Sequence, residues 1–377
     1  MLAALSDRLE RLYLLTDDVP ESFAKRAEAY PQLQMVPLGR KAFKKNAFIW
    51  LEDRVAGGEL DIVHDTFGHL ASFFQAYGPR SDRPFRLVNT LYTTNWGWFN
   101  RVRRGDMDFG LRYMAQRVIC LWRDRRVCLN ADRVIVLGPG HVEDLVNGHR
   151  MDRSRVDCLP SEVDIGRFCP GDDASRERTM ILFVGVVCRN KGLDVLMKAL
   201  ADLAQTRSGL DVRFVGPIVP WEEQWFNEER TRLGLDEIVT TTGRVEQSDL
   251  IELYRQAQLF VFPSRFEGSP RSVREALACG CRVLASDIPG HRGLDPDESF
   301  MGFVPDFDPQ SWVRAMHGFL EEPHTEAAQR AERGVEHMKR VHSFEAVGES
   351  LLELYERIQA TPPWSGGAVP KADAGSE

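Results

Sequence analysis

Short apolar runs alternate with helical patterns along the second half of the chain. The run ILFVGVV (181–187) is rich in β-branched residues and suits a strand that is buried on both faces. It is followed by LDVLMKALADLAQ, whose apolar residues recur at helical spacing. Further strand patterns, with helical patterns between them, are DVRFVGP, EIVTTTGRV, LFVFPS and CRVLASD. Strands that alternate with helices in this way predict βαβ units and a doubly wound parallel sheet.

The first half of the chain follows the same plan less regularly. Four segments have the pattern of strands: RLYLLTDD, LDIVHD, FRLVNTLYTT and NADRVIVLGPG. The segment 101–129 is predicted to be helical for most of its length. It carries several arginines around an apolar stripe made of Leu111, Met114, Val118, Leu121 and Trp122. The α/β class is therefore predicted for both halves.

The predicted domain organisation follows from length and from one linker-like stretch. A chain of 377 residues allows about two domains. The stretch CLPSEVDIGRFCPGDDASRER is rich in proline, glycine and charge, as linkers often are. We predict an N-terminal domain at 1–165, a C-terminal domain at 166–343, an amphipathic C-terminal helix at 344–360 and a disordered tail at 361–377.

Composition excludes several classes of protein. Hydrophobic residues make up 43% and charged residues 28%, as in ordinary globular proteins, and the net charge of -8 argues against a nucleic-acid partner. The seven cysteines show no paired CxxC spacing, which favours buried reduced thiols and a reducing cytoplasm. The chain has no signal-peptide pattern and no run of about 18 apolar residues. We therefore expect a cytoplasmic protein that is neither secreted nor membrane-spanning.

Candidate chemistry concentrates in PSRFEGSPRSVREALACGCRVLASDIPG (263–290), where Glu267 and Glu275 stand eight residues apart. Ser269 is predicted to cap a helix that Gly280 ends. The start of this helix would lie at the carboxyl end of the preceding strand, and a helix N-terminus there favours an anionic ligand. Carboxylates accept hydrogen bonds from sugar hydroxyls, so the combination points to a nucleotide sugar. The alternative is that both glutamates are ordinary solvated surface residues.

This stretch resembles the Glu-x7-Glu signature of family 4 (group 1) glycosyltransferases, which are retaining enzymes of the GT-B fold. The segments FVGVVCRNKGLDVLMKAL and TTGRVEQSDLIELYRQAQLFVFPS are also similar to segments of that family, and LDIVHD, NADRVIVLGPGHVEDLV and CLPSEVDIGRF resemble it more loosely. The resemblance implies two Rossmann-like domains that face each other across a cleft. Family members open with a strand and a Gly-Gly loop, whereas this chain opens with SDRLERLYLLTDD, which resembles the following helix. The N-terminal domain is therefore expected to lack its first strand.

The resemblance also implies roles for individual residues. Glu275 would bind the ribose hydroxyls and Glu267 the donor sugar, with backbone contacts from Gly268 and Ser269. The donor diphosphate would lie near Gly185 and be bound by Lys191, with Arg189 in place of the arginine that usually follows the glycine. Arg244 and Val245, in the loop that begins at Gly243, would line the base pocket. Tyr92 stands where the family commonly has a histidine near the donor sugar, and His64 is a second candidate for that role.

We therefore predict a retaining hexosyltransferase of polysaccharide biosynthesis that needs no cofactor and no metal, since no Asp-x-Asp motif stands out. Its donor would be a UDP- or GDP-sugar and its acceptor a saccharide or a lipid-linked molecule. Seven basic residues of the N-terminal half suggest peripheral contact with the inner face of the membrane: Arg40, Lys41, Lys44, Lys45, Arg101, Arg103 and Arg104. Two alternatives remain, a glycosyltransferase-like binding partner with reduced or no turnover and a sugar-nucleotide epimerase.

Overall fold

The computed structural model describes residues 8–19, 25, 27–66, 83–97, 111–171 and 180–361. The chain divides into two compact units. Unit 1 contains Met1–Pro160 and Phe344–Glu377, and unit 2 contains Ser161–Ser343. The division falls inside the stretch that the sequence marks as a linker, and the chain crosses between the units a second time at Ser343. The predicted disordered tail lies outside the described residues, except for Thr361.

Unit 1 contains two parallel sheets. Strands β1 (Leu12–Thr16) and β2 (Leu33–Pro37) pair with each other, and a second sheet has the order β3 (Ile62–Asp65), β4 (Arg86–Leu91), β5 (Arg133–Val136) and β6 (Val156–Cys158). The described part of this unit includes the helices α1 (Phe43–Ala56), α2 (Leu111–Asn130) and the short α3 (Pro139–Glu143), which a π-helical turn at Asp144–Gly148 extends. Among the described residues, no ladder joins β1 to β3.

The strand pattern of RLYLLTDD is confirmed over Leu12–Thr16, so the resemblance of SDRLERLYLLTDD to a helix is wrong for the described part of the segment. Leu12–Thr16 is a strand because it pairs along its whole length with Leu33–Pro37, which the apolar pattern did not predict. The helical prediction for 101–129 is confirmed over Leu111–Asn130, whereas 101–110 lies outside the described residues. The proposed apolar stripe of this helix does not mark its buried face, because Val118 and Trp122 are exposed while Val127 and Cys128 are buried.

Unit 2 contains one six-stranded parallel sheet. Its strands are β7 (Met180–Val184), β8 (Asp211–Val215), β9 (Val239–Gly243), β10 (Leu259–Phe262), β11 (Val283–Ser286) and β12 (Met301–Val304). They lie in the order β12-β11-β10-β7-β8-β9, the doubly wound arrangement of Rossmann-like domains. Every residue of β10 and β11 is buried, which explains why these strands read as unbroken apolar runs.

Helices cover both faces of this sheet and complete a single large core. They are α4 (Leu193–Thr206), α5 (Glu223–Arg232), α6 (Gln247–Gln256), α7 (Arg271–Ala278), α8 (Pro289–Arg292), α9 (Pro309–Glu321) and α10 (His324–His342). Short 3₁₀ turns stand before α4 (Arg189–Lys191) and before α5 (Pro220–Glu222). The predictions of an α/β fold and of a doubly wound parallel sheet in the second half of the chain are therefore confirmed.

The last helix, α11 (Phe344–Ala360), returns to unit 1. Its residues Leu351, Leu352, Leu354 and Ile358 pack with Val88 of β4 and Ile135 of β5. Unit 1 is thus completed by a segment that is distant in sequence.

Two further predictions concern the whole chain. In the part of the chain that the structure describes, no helix combines the length and the apolar character needed to span a membrane. All seven cysteines are free; four of them are buried, but Cys158 is exposed, so the expectation of buried thiols does not hold throughout.

Candidate functional site

The candidate site lies in unit 2, where the loops that follow β7 and β10 meet. These two strands are neighbours in the sheet, and the strand order reverses between them. In open α/β sheets the crevice beyond the carboxyl ends of such a strand pair is the usual place for a ligand. The loop after β7 carries Gly185, Arg189 and Lys191, and the loop after β10 carries Glu267 and leads into α7. Topology therefore brings together two segments that the sequence keeps far apart.

Several contacts fix the two loops against each other. Arg265 donates two hydrogen bonds to the Asp194 carboxylate, at 2.7 and 2.8 Å, and its backbone N–H donates to Asn190 O at 3.1 Å. Gly192 has a left-handed φ of 75°, and a Cβ atom there would lie 2.1 Å from Pro263 O. Only glycine fits a backbone of this conformation at such a close approach. The Lys-Gly pair of the sequence is thus explained by packing as well as by charge.

Lys191 and Glu267 form an ion pair at the centre of the site. Lys191 Nζ donates to Glu267 Oε1, and the ammonium group lies 5.5 Å from the centroid of the Phe262 ring. Their side chains are only 20% and 13% exposed. The structure thus brings into contact the two residues that the sequence suggests for the donor diphosphate and the donor sugar. A cation and an acceptor carboxylate at one point can bind both a phosphate and a hydroxyl group.

Glu275 is held in place by a residue that sequence reasoning missed. The Tyr254 hydroxyl, on α6, donates to Glu275 Oε2 at 3.0 Å. Burial raises the pKa of Glu275 above its ordinary value, although the Tyr254 hydrogen bond acts in the opposite direction. The position of Tyr254 among the apolar residues of α6 indicates burial, but its polar partner on another helix could not be read from the sequence.

The start of α7 differs from its prediction. Ser269 is not the N-cap: the helix begins at Arg271 after Pro270, and no side chain caps it. The Ser269 hydroxyl instead accepts a hydrogen bond from Nη1 of Arg274, a buried side chain that needs an acceptor. The predicted end of the helix is confirmed, because Gly280 adopts a left-handed φ of 75° and its N–H donates to Leu277 O.

The Arg189 side chain is directed toward α5. Its guanidinium lies 4.8 Å from the centroid of the Trp225 ring, and its backbone N–H donates to Glu222 Oε2 at 2.6 Å. The charge of Arg189 is therefore placed next to Glu222 and Trp225, whereas Lys191 contacts Glu267. Glu222 and Trp225 were not predicted as part of the site, and no pattern in the sequence connects them to Arg189.

The residues suggested for the base pocket lie at the same edge of the sheet. Gly185 N–H donates to Val215 O at 2.9 Å, and Gly216 N–H donates to Gly243 O at 2.8 Å. The first bond links the loop after β7 to the end of β8, and the second links the loop after β8 to the end of β9. Beyond Gly243, Arg244 is exposed and Val245 packs partly against the core of unit 2.

Two further candidates, Tyr92 and His64, belong to unit 1. Tyr92 follows β4 and is 52% exposed. His64 has hydroxyl partners at both ring nitrogens, Tyr355 Oη at 2.6 Å and Thr90 Oγ1 at 2.7 Å. Burial lowers the pKa of His64 to about 4, so the ring is neutral near pH 7. Both ring nitrogens thus have hydroxyl partners inside unit 1, which favours a structural histidine, and the suggested role of His64 near the donor sugar stays a prediction.

Within the described ranges, no three His, Cys, Asp or Glu side chains are grouped as metal ligands would be.

Comparison with protein families finds a match in the C-terminal part of the chain. The family model described as glycosyl transferases group 1 matches residues 172–337, the part that contains the candidate site. D-inositol 3-phosphate glycosyltransferase 2 of Catenulispora acidiphila is 32% identical over 231 residues, which are 57% of this chain and 54% of that protein. The chain spans about half the length of the curated relatives that it matches first.

Solved structures show the fold of nearly the whole chain. Sucrose-phosphate synthase from Thermosynechococcus elongatus aligns with a TM-score of 0.68 at 20% identity, covering 92% of this chain and 86% of that one. HepE of Anabaena, solved in complex with UDP-glucose, aligns with a TM-score of 0.66 at 15% identity and covers 94% of each chain. Both have the GT-B fold, which is therefore the fold of this chain.

Proposed function

We propose that this protein is a retaining glycosyltransferase that moves a hexose from a UDP- or GDP-sugar to a saccharide or lipid-linked acceptor. The observation that carries the proposal is the contact between Lys191 and Glu267 beside the start of α7, at the point where the strand order of unit 2 reverses. Two findings support it: the group 1 glycosyltransferase model matches this region, and a protein of the same fold binds UDP-glucose.

In the proposed complex the donor diphosphate lies between Lys191 and the turn that precedes α7. The first amides of a helix and the positive end of its dipole attract phosphate, and the backbone of Gly268 and Ser269 leads into that turn. Lys191 would then shift from Glu267 to the phosphate oxygens. Glu267 would be released to accept hydrogen bonds from the hydroxyls of the donor sugar. The ion pair of the free protein would thus prepare both groups for the donor.

The nucleoside is proposed to bind along the adjacent loops. The Glu275 carboxylate, oriented by Tyr254, would accept hydrogen bonds from the ribose hydroxyls. The loop from Gly243 to Val245 would border the base, because backbone bonds link it to the loop of Gly185. Recognition of the base would then rest on backbone groups and on the shape of the loop.

The proposed transfer depends on stabilisation of the leaving group. As the bond from the sugar C1 atom to the β-phosphate oxygen breaks, negative charge develops on the departing diphosphate. Lys191 and the amides at the start of α7 would stabilise this charge, a contribution that is often the largest in catalysis. The acceptor hydroxyl would attack C1 from the face that the diphosphate leaves, and its proton would depart with the phosphate. No metal ion is required in this scheme.

The experiment that tests this function combines donor binding with transfer. We expect UDP-sugars or GDP-sugars to raise the melting temperature, because a ligand that binds only the folded state stabilises it. Transfer to an acceptor panel that includes inositol phosphates should retain the anomeric configuration and persist in EDTA. Lys191→Ala and Glu275→Ala should each weaken donor binding at least tenfold. Lys198→Ala changes an exposed lysine of α4 and should leave binding unchanged. Absence of binding by every nucleotide sugar would contradict the proposal.

A second candidate is a glycosyltransferase-like protein that binds the donor without turnover. It is favoured by Tyr92, an exposed tyrosine of unit 1 that stands where the resemblance implies a histidine near the donor sugar and that does not titrate near neutral pH. Donor binding that survives Glu267→Ala, with no transfer to any acceptor, would support this candidate over the enzyme.

We also propose peripheral contact with the inner face of a membrane. Arg40, Lys41, Lys44 and Lys45 are all exposed at the start of α1, while Arg101, Arg103 and Arg104 lie outside the described residues. Each basic residue near an anionic surface contributes about 1 kcal/mol of attraction. Cosedimentation with vesicles that contain phosphatidylserine should therefore fall with salt and with charge reversal at Lys44 and Lys45. Equal binding to neutral vesicles would contradict this contact.

A further inference from the structure

A buried arginine stands directly behind the proposed diphosphate site. Arg274 precedes Glu275 on α7 and is only 3% exposed. Its Nη1 atom donates to the Ser269 hydroxyl, and its Nε atom has no hydrogen-bond partner in the described part of the chain. Burying a guanidinium without full hydrogen bonding costs free energy. A charge retained at such a position calls for a role beyond packing.

The charged surroundings of Arg274 keep it ionised. Burial lowers the pKa of Arg274 to about 10. The negative charges of Glu162 and Glu275 raise this pKa, whereas the positive charge of Arg271 lowers it further. The side chain is therefore a cation at neutral pH. Glu162 lies next to Ser161, the first residue of unit 2.

The segment of Glu162 is itself well fixed. His342 Nδ1 lies 2.6 Å from Ser161 O, and Val163 N–H donates to His342 O at 2.8 Å. These bonds join the two places where the chain enters and leaves unit 2. The contact that joins the Arg274 side chain to the turn before α7 is its hydrogen bond to the Ser269 hydroxyl. Such an arrangement can hold the turn before α7 in one orientation.

We propose that Arg274 is a positioning residue for donor binding: by holding Ser269, it keeps the turn at Gly268 and Ser269 oriented with its amides toward the donor diphosphate. The proposal rests on the proposed function of the site. Arg274 acts through Ser269 and is not itself expected to touch the donor. Ser269 thus serves the site through its side chain, as the acceptor for Arg274, and through its backbone.

A double-mutant cycle tests this role, with UDP and GDP as the probes and calorimetric Kd as the measurement. Arg274→Met keeps much of the side-chain volume but removes the donor atoms, and we expect it to weaken nucleotide binding about five- to twentyfold. Arg274→Lys should restore part of the affinity. Ser269→Ala should weaken binding to a similar degree. Because both changes remove the same hydrogen bond, the affinity of the double variant should equal that of the single variant that binds more weakly.

The controls separate positioning from loss of folding. Arg314 donates to the Ser311 hydroxyl at 3.0 Å on the exposed side of α9, so Arg314→Met removes the same kind of bond away from the site and should leave Kd unchanged. If the Arg274→Met variant does not fold, the Kd values of the Ser269→Ala and Arg274→Lys variants still test the positioning role. If the wild-type protein binds neither nucleotide, the proposed function fails. Two other results would overturn only the positioning role. In the first, the Arg274 and Ser269 variants bind the nucleotide as tightly as the wild-type protein does. In the second, the losses of binding free energy in the two single variants add up in the double variant.

Discussion

At the scale of single residues, the candidate site depends on side chains that hold other side chains. Tyr254 holds Glu275, Arg265 holds Asp194, and Arg274 holds Ser269. Tyr254 lies on α6, and Arg274 is buried on α7, whereas Arg265 belongs to the loop after β10 itself. Burial of such a side chain has a free-energy cost, as Glu275 shows. Burial raises the pKa of Glu275 and so disfavours its charged form, which the proposed ribose contact needs.

Replacing Tyr254 by phenylalanine should weaken UDP binding about threefold to tenfold, because Glu275 loses the hydrogen bond that orients it. The pH dependence should change as well. Glu275 binds as a carboxylate, so affinity is lost as the pH falls through its raised pKa. Loss of the hydroxyl raises that pKa further, and the decline should begin at a higher pH in the variant. Calorimetric titration with UDP across the acid range measures both effects.

A matched control exists in unit 1, where the Tyr13 hydroxyl donates to Glu59 at 3.4 Å in an exposed pair. Tyr13→Phe should leave UDP affinity and its pH profile unchanged. An unaltered profile in Tyr254→Phe would show that Tyr254 does not set the ionisation of Glu275.

At the scale of elements, the site is a junction between two loops that only the sheet brings together. The loop after β7 and the loop after β10 are separated by about 70 residues in sequence, yet Gly192 touches the backbone of Pro263. The 3₁₀ turn Arg189–Lys191 and the first turn of α4 take their position from this contact. The orientation of Lys191 is therefore a property of the junction rather than of its own loop.

Gly192→Ala tests the junction. The new Cβ atom would lie 2.1 Å from Pro263 O in a backbone of left-handed conformation. We expect a loss of about 3 kcal/mol or more in the free energy of unfolding of unit 2, together with weaker UDP binding, because the loops must separate. Chemical denaturation and calorimetry measure the two effects.

Gly209 provides the control for backbone conformation alone. It has a similar φ of 70° but no atom within 4 Å of an added Cβ. Gly209→Ala should cost only about 1 kcal/mol and leave UDP binding unchanged. If both variants lose the same free energy of unfolding, the close approach of Gly192 to Pro263 O is not what requires glycine.

At the scale of the whole molecule, each unit has its own core and contains a histidine whose pKa is lowered to about 4 by burial. The core of unit 1 is completed by α11, whose Tyr355 reaches His64 of β3. In unit 2, His342 is bonded to Ser161 O. Burial lowers the pKa of both rings to about 4. Two separate cores predict that denaturation can be followed for each unit by itself.

The buried histidines predict how stability depends on pH. An unfolded histidine titrates near pH 6.5, whereas these rings titrate at about 4 in the folded protein. Between these values the unfolded state binds more protons, so stability is complete above about pH 6.5 and falls as the pH drops toward 4. Each histidine should account for roughly 3 kcal/mol over this window. Denaturation of the full chain at a series of pH values measures the loss.

His64→Gln should remove part of this pH dependence from the unfolding of unit 1, because glutamine does not titrate. His324→Gln changes an exposed histidine at the start of α10 and should leave the dependence as it is in the wild-type protein. If the His64→Gln variant loses as much stability at acid pH as the wild-type protein does, His64 is not a titrating core residue.

Much of the fold and part of the site could be predicted from local patterns. Five of the six strands of unit 2 are predicted by local patterns, most plainly β10 and β11, which are apolar runs with every residue buried. β12 (Met301–Val304) is not predicted. The end of α7 is predicted by the sequence because Gly280 adopts a left-handed conformation that glycine favours. β2 was missed and Ser269 was assigned as a helix cap, because strand pairing and the demand of a buried arginine act across distances that a local pattern does not contain.

The sequence by itself therefore determined the α/β class, the doubly wound order of elements and the residue types of the candidate site, since these follow from periodicity and from the chemistry of short motifs. The tertiary structure alone decided which side chains meet. Lys191 pairs with Glu267, Tyr254 orients Glu275, and His64 is enclosed by hydroxyl groups in unit 1. The physical reason is that a buried charge or ring nitrogen must find its partner wherever packing places one, and packing is set by the whole unit.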